Sequence, residues 1–234
     1  MPPAVRDRLE VLTEGEVQRL LLAASERAPT GVRNRALVAF LYCSGVRLGE
    51  AVALRPDELD LAARRTNVRG RLARSAHVFP AALPYLETWL AVRAELAVPS
   101  AAHLFCTLAG AALEPAYVRA MLARLARRAG LRRRVHAHLL RHSCAARLAR
   151  SGLAIEALAR QLGQGLRSAR RALAPFGIAA AHGGVSRVED CPWSLAPEPG
   201  QVRALCSIGP RSALPRARPP RGTIVVKLWR PPEL

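Results

Sequence analysis

The sequence predicts a mainly α-helical domain with one small antiparallel sheet, an α+β arrangement, and three observations carry that prediction. Apolar residues recur at three- and four-residue spacing through most of residues 13–164, the period of a helix with one buried face. Between Leu59 and Pro80 that period gives way to short segments split by Arg and Gly, the pattern of a hairpin. Hydrophobic residues make up 50% of the 234 positions, enough to fill one good core.

Residues 1–12 read as a short lead-in. Thr13-Glu14-Gly15-Glu16 is a capping box, in which Thr13 accepts from the first turn and Glu16 reaches back. The helix it opens carries Val17, Leu20, Leu21 and Ala24 on one face. Gly31 is expected to break the chain, and Val32 to Cys43 to form a second, more apolar helix at the centre of the core. That helix runs into Ser44-Gly45-Val46-Arg47-Leu48-Gly49-Glu50. There a Gly-bounded turn holds Arg47, and Glu50 starts the next helix, placed to grip Arg47 and aim it at a ligand. Leu59–Leu61, Thr66–Val68 and His77–Phe79 read as strands, with Gly70 near a turn. Pro84 to Ala97 reads as helix and Pro99 to Gly110 as loop. Pro115 to Gly130 is again helical, with Pro in the first turn and Gly at the end. A helix from Ala137 to Gly152 and a short one from Ile155 to Leu162 follow.

The chemistry concentrates on Ala137–Gly152. Residues three and four apart share a helix face, so His138, Arg141 and His142 gather on one turn. Two imidazoles and a guanidinium suit a phosphate: Arg offers a planar fork of donors, and His exchanges a proton near neutral pH. The overall charge agrees. Thirty-six Lys and Arg against 17 Asp and Glu give a net +19, nearly all of it arginine, since the one lysine is Lys227. Such a charge points to a polyanionic partner. The densest basic patch is Arg119, Arg124, Arg127 and Arg128, continued by Arg132, Arg133 and Arg134, and it is expected to meet a nucleic-acid backbone. Few aromatic residues are present for stacking on bases, which disfavours an RNA-binding role. The five cysteines are scattered without a C-x-x-C, so reduced thiols in a cytoplasmic protein are expected, with no metal and no cofactor. No signal-peptide layout and no apolar run long enough to span a membrane is evident, so no membrane partner is expected.

Arg47 within SGVRLGE, the short sheet, HLLRH at 138–142 and LG at 162–163, in this order, resemble the catalytic domain of the tyrosine recombinase (phage integrase) family. The opening LTEGEVQRLL resembles that domain's first helix, and the resemblance covers about residues 12–164. It implies a recombinase-type fold over 13–164 that binds double-stranded DNA and works as a homo-oligomer on it. It also implies that Arg47 and Arg141 clamp the scissile phosphate, that His138 serves in proton transfer, and that Glu50 supports Arg47. A phosphoryl-transfer transition state carries negative charge on its non-bridging oxygens, which explains the arginines. A covalent tyrosine nucleophile would split the exchange into two easier steps.

Three departures bear on activity. The lysine such enzymes carry in the hairpin is replaced by Arg71, a poor proton donor because it stays charged. Gln164 stands where His or Trp usually follows the LG pair. The nucleophile is absent: it would fall near Leu173, and the three tyrosines, Tyr42, Tyr85 and Tyr117, all lie upstream in apolar helix faces. Residues 165–234 hold ten of the 18 prolines and no sustained period beyond a strand-like Thr223–Trp229, and an irregular tail is expected there. Loss of family character directly after Gly163 fits a shift of reading frame near codon 164. A genuine basic tail that adds DNA affinity is the other reading. The short lead-in leaves out the N-terminal domain that such enzymes close around DNA, so weaker and less selective binding is expected. The resulting expectation is a recombinase or integrase-type protein defective in strand cleavage, with a non-catalytic DNA-binding module or a decayed remnant as alternatives.

Overall fold

The computed structural model describes residues 11–70, 72–174 and 185–191. Eight helices and a three-stranded sheet are found among them. Helix α1 (Glu14–Ala23) starts at the expected capping box: Thr13 Oγ1 accepts from the Glu16 amide (3.2 Å), and Glu16 Oε2 accepts from the Thr13 amide (2.8 Å). Its buried face is Val17, Leu20 and Leu21.

Helix α2 (Pro29–Ser44) is the centre of the core, enclosed by α1, α4 (Leu83–Glu95) and α6 (Ala137–Arg150). Every residue from Gly31 to Ser44 is buried. Gly31 does not break the chain, as its type suggested. It sits in the first turn of α2, where a Cβ would collide with the carbonyl of Ser25, so the glycine serves close approach rather than termination. Pro29 instead opens the helix, where its missing N–H costs nothing. Two buried arginines in α2 find backbone and side-chain partners, Arg35 including the Glu26 carboxylate (3.5 Å). Arg33 donates to Asn34 Oδ1 (3.0 Å) and to the Cys106 carbonyl (3.0 Å), and Arg35 to the Ala24 carbonyl (2.8 Å).

After α3 (Leu48–Ala53), strands β1 (Leu59–Asp60), β2 (Arg65–Val68) and β3 (Arg74–His77) pair antiparallel in the order β1-β2-β3, with Leu59 opposite Thr66 and Thr66 opposite Ala76. The third strand lies earlier than His77–Phe79 because Phe79 leaves the ladder for the core. There it is 1% exposed, and its amide donates to the Cys43 carbonyl (3.2 Å). Helix α5 (Pro115–Arg128) buries Val118, Met121, Leu122 and Leu125 and turns its arginines outward. Helices α6 and α7 (Ile155–Leu162) follow.

Regular structure continues past Gln164, where an irregular tail was expected to begin. Helix α8 (Leu166–Leu173) buries Ala169 and Leu173 and packs on α6 and α7. Val185 bridges Leu153 in parallel, and Cys191 is buried. Thr223–Trp229 and Arg71 lie outside the described residues. Among the described residues, Cys43, Cys106, Cys144 and Cys191 are buried and form no disulfide. Among the described residues, no helix is long and apolar enough to cross a membrane.

One buried side chain joins three of these elements. Gln161 Nε2 donates to the carbonyls of Ser44 (2.8 Å) and His77 (2.8 Å), and its Oε1 accepts from the His77 amide (2.9 Å). Gln161→Leu would strand these backbone groups away from water, each at a cost of about 1–3 kcal/mol. A loss of about 3 kcal/mol in the urea unfolding free energy is expected, with circular dichroism as the readout. An unchanged midpoint would refute this account of the joint.

Candidate functional site

The site is assembled on the C-terminus of α7. A helix leaves its last carbonyls without intrahelical partners. Here the chain closes in a Schellman-type turn. Gly163 is left-handed (φ 59°), its amide donates to the Arg160 carbonyl (3.1 Å), and the Gln164 amide donates to the Ala159 carbonyl (3.0 Å). The next three carbonyls each take one arginine. Arg74 Nε donates to Gln161 O (3.0 Å), Arg141 Nη2 to Leu162 O (2.6 Å) and Arg47 Nη2 to Gly163 O (2.7 Å). The arginines come from β3, α6 and the turn before α3, and they sit at the negative end of a helix dipole.

Arg141 is 7% exposed and is fixed at its other end by the Gly45 carbonyl (2.6 Å). That carbonyl is available because Gly45 ends α2 in the left-handed region (φ 66°). A Cβ there would strike Leu162 and Cys144. Burial, then the charges of Arg47 and Arg74, lower the Arg141 pKa to about 10, so it is charged at neutral pH. Glu50 is the carboxylate of this cluster. Its Oε2 accepts from the Arg47 amide (2.7 Å) and Arg74 Nη2 (2.9 Å), and its Oε1 from Arg47 Nη1 (2.9 Å) and Arg74 Nη1 (3.0 Å). Burial pushes the Glu50 carboxyl up. The hydrogen bonds from Arg74 and Arg47 and the Arg74 charge outweigh burial and bring it down to about 2.

Opposite these guanidiniums lies the start of α6. His136 caps the helix, its Nδ1 accepting from the Leu139 amide (3.1 Å). Val46, Arg47, Arg119, His136, His138 and Arg141 line one pocket of about 370 Å³. His138 and His142 meet through their Nε2 atoms at 2.6 Å, with rings edge to face. One of the two nitrogens must therefore lack a proton. Burial, then the charges of His138 and Arg141, lower His142 to about 4, so it is neutral at pH 7. His138 is also lowered, by burial and by His136 and Arg141. Arginines, a helix N-terminus and an imidazole thus line one pocket, a set of groups whose chemistry suits an anion.

The structure brings Arg47, His138 and Arg141 together, with Glu50 behind Arg47. Gln164 Oε1 stands 3.4 Å from Arg141 Nη2, at the rim of the cluster. Arg119, Arg124, Arg127, Arg128, Arg132 and Arg134 are exposed, and Arg119 joins this patch to the pocket. Arg133 has a second role. It is clamped by Glu16 (2.6 Å) and the Val11 carbonyl (3.1 Å), which spends its charge on holding α1. Of the tyrosines, Tyr42 is buried in α2, Tyr85 sits on α4, and Tyr117 lies under Arg33 and Arg124. None of the three lines the pocket. Arg74 and Gln161 escaped the sequence reading. An Arg on a short strand and a Gln in a helix are both unremarkable in one dimension.

Comparison with known proteins agrees with this geometry. Residues 10–164 match the phage integrase family. Tyrosine recombinase XerC of Xanthomonas axonopodis pv. citri is 36% identical over 152 residues, which is 64% of this chain and 48% of that protein. XerC of Azotobacter vinelandii is 37% identical over 168 residues, covering 69% of this chain and 54% of that protein. The chain thus spans about half the length of the curated relatives it matches. Among solved structures, XerA recombinase superposes with a TM-score of 0.66 at 26% identity, over 74% of this chain and 61% of that one. XerH site-specific recombinase, bound to its difH substrate before cleavage, gives 0.60 at 27% identity, over 69% and 49%.

The Glu50 cluster sets a pH dependence. A carboxyl lowered from 4.5 to about 2 on folding adds stability that is fully present above pH 4.5 and is lost as pH falls through about 2. Glu50→Gln is therefore expected to be less stable than the parent at pH 7. The gap should narrow in urea unfolding curves taken from pH 4.5 downward. A gap that holds constant over that range would contradict the assigned charge.

Proposed function

This chain belongs to the phage integrase family, and from that premise we propose that it is a DNA-binding protein of the site-specific recombinase type. It seats one backbone phosphate of duplex DNA between Arg47, Arg141 and His138. The observation that carries this reading is the pair of guanidiniums pinned from behind by helix-end carbonyls. A guanidinium has five N–H donors, and these contacts leave donors on both Arg47 and Arg141 for an anion. Preorganised donors oppose charge on phosphate oxygens without having to reorganise. The exposed arginines of α5, with Arg132 and Arg134, continue the positive surface and would follow the strand beyond the bound phosphate. A homo-oligomer on DNA belongs to the same reading.

Within this reading, phosphate capture and covalent cleavage come apart. Cleavage by the family's route needs a phenol oxygen beside the bound phosphate. Tyr42 is held in the core, where burial raises its pKa to about 12, and burial raises Tyr85 as well. Tyr117 accepts a hydrogen bond from Arg33, behind α5. Leu173, near where the nucleophile would be expected, is buried on α8 and has no nucleophilic atom. The chain is therefore read as a protein that binds and does not form a 3'-phosphotyrosine link. The decayed-remnant reading is weakened by the completeness of the cluster, in which the helix-end carbonyls and the buried carboxylate all keep their partners.

A nicked suicide duplex tests both halves. The expected result is a complex on native gels whose affinity falls steeply between 50 and 200 mM salt, by about 10³-fold if some six phosphates are contacted. No adduct should survive on a denaturing gel. A covalent adduct would overturn the non-cleaving half, and the absence of any salt-dependent complex would overturn the DNA-binding half.

A further inference from the structure

One tightly held arginine of the cluster, Arg74, is one that neither the family resemblance nor the phosphate chemistry requires. Arg74 is 9% exposed at its side chain, against 41% for Arg47. We propose that Arg74 is a positioning residue: acting through Glu50, it sets the orientation of Arg47 and does not touch DNA itself. The proposal rests on the reading that Arg47 holds a DNA phosphate.

The geometry carries it in three steps. First, packing alone cannot fix Arg47, because its side chain is long and two-fifths exposed. Its orientation comes from two contacts, Glu50 Oε1 and the Gly163 carbonyl. Second, Glu50 is a good anchor only if its own carboxylate is held, and Arg74 holds it with a two-pronged fork (3.0 and 2.9 Å). Such a fork fixes the carboxylate plane as well as its charge. Third, Arg74 is itself over-determined. Its Nε reaches Gln161 O (3.0 Å), and its Nη1 reaches Leu72 O (3.3 Å). Gly163 also leaves the space that its guanidinium fills, since a Cβ at that position would collide with the Arg74 nitrogens. One residue of β3 thus locks the hairpin, the end of α7 and the carboxylate behind Arg47 into a single register. The strand supplies the order, and Arg47 presents it to the pocket.

The salt dependence of DNA binding separates this role from a merely structural one. The slope of log K against log[salt] counts neutralised phosphates, and a loss of fold stability does not change that count. The slope is measured with the full-length chain and a random-sequence duplex of about 30 base pairs, a length chosen to exceed the several contacts such a domain makes. Arg47→Ala is expected to lower it by about 0.9, one phosphate's worth. Arg74→Gln should lower it by the same amount although the residue 74 side chain is largely covered, and the double variant should fall no further. If Arg74→Gln loses its cooperative thermal transition, Arg74→Lys carries the test. It keeps a charge beside Glu50 but not the fork, and its slope should lie between those of the parent and Arg47→Ala. A parental slope in a folded Arg74 variant, or a double variant that loses two phosphates, would overturn the proposal. A parental slope for Arg47→Ala would overturn the pocket reading and this proposal with it.

Discussion

Three consecutive carbonyls at the end of one eight-residue helix decide how this domain closes. Helix α7 arrives at Gly163 with its Gln161, Leu162 and Gly163 oxygens unpaired within the helix, and each is taken by an arginine from a different part of the chain. Arg47, Arg74 and Arg141 are far apart in sequence, so the contact ties the turn after α2, the hairpin and α6 to one point. Three guanidiniums on adjacent carbonyls repel one another. The helix dipole and the single carboxylate of Glu50 offset part of that repulsion. What remains is a positive surplus facing a pocket, and an anion there lowers the electrostatic energy of the whole cluster. The positive pocket is therefore a consequence of how the domain is fastened, more than an addition to it.

The other wall of the pocket obeys a different constraint. His138 and His142 lie one helical turn apart and share one contact, so they cannot both carry a proton on the facing nitrogens. Burial and the charges around them lower both imidazoles, and His138 is the member of the pair that lines the pocket. His136, two residues before His138, spends its Nδ1 on the helix cap. Three histidines close in sequence are thus placed differently: His136 caps the helix, His138 lines the pocket and His142 contacts His138.

Much of this was legible in one dimension. The capping box at Thr13, the Pro115 start of α5 and the short α7 were all plain, because each rests on local chemistry that a few residues complete. His138 and Arg141 could be grouped because helical spacing alone puts them together. Arg47 and Glu50 could be paired for the same reason. Arg74 could not be found this way. Its partners Glu50 and Gln161 are 24 and 87 positions distant, and a strand of four residues has no period long enough to mark which side chain faces inward. Gly31 misled for the opposite reason. Its residue type signals a break, while its tertiary setting demands a small residue inside a helix. Arg133 was read by its charge alone, and its hold on α1 was not legible, since the Glu16 it grips is 117 positions away.

The central claim is that the α7 end and its arginines form a pocket for one phosphate of DNA. The most direct measurement is a crystal structure of the chain with a short duplex. The account predicts a backbone phosphate between Arg47, Arg141 and His138, with Arg74 still forked on Glu50 and the Gln161, Leu162 and Gly163 carbonyls still taken by the same three arginines. A duplex bound along Arg124, Arg127 and Arg132 that leaves this pocket empty, or a phosphate reached only after Arg47 and Arg141 abandon their carbonyls, would contradict it.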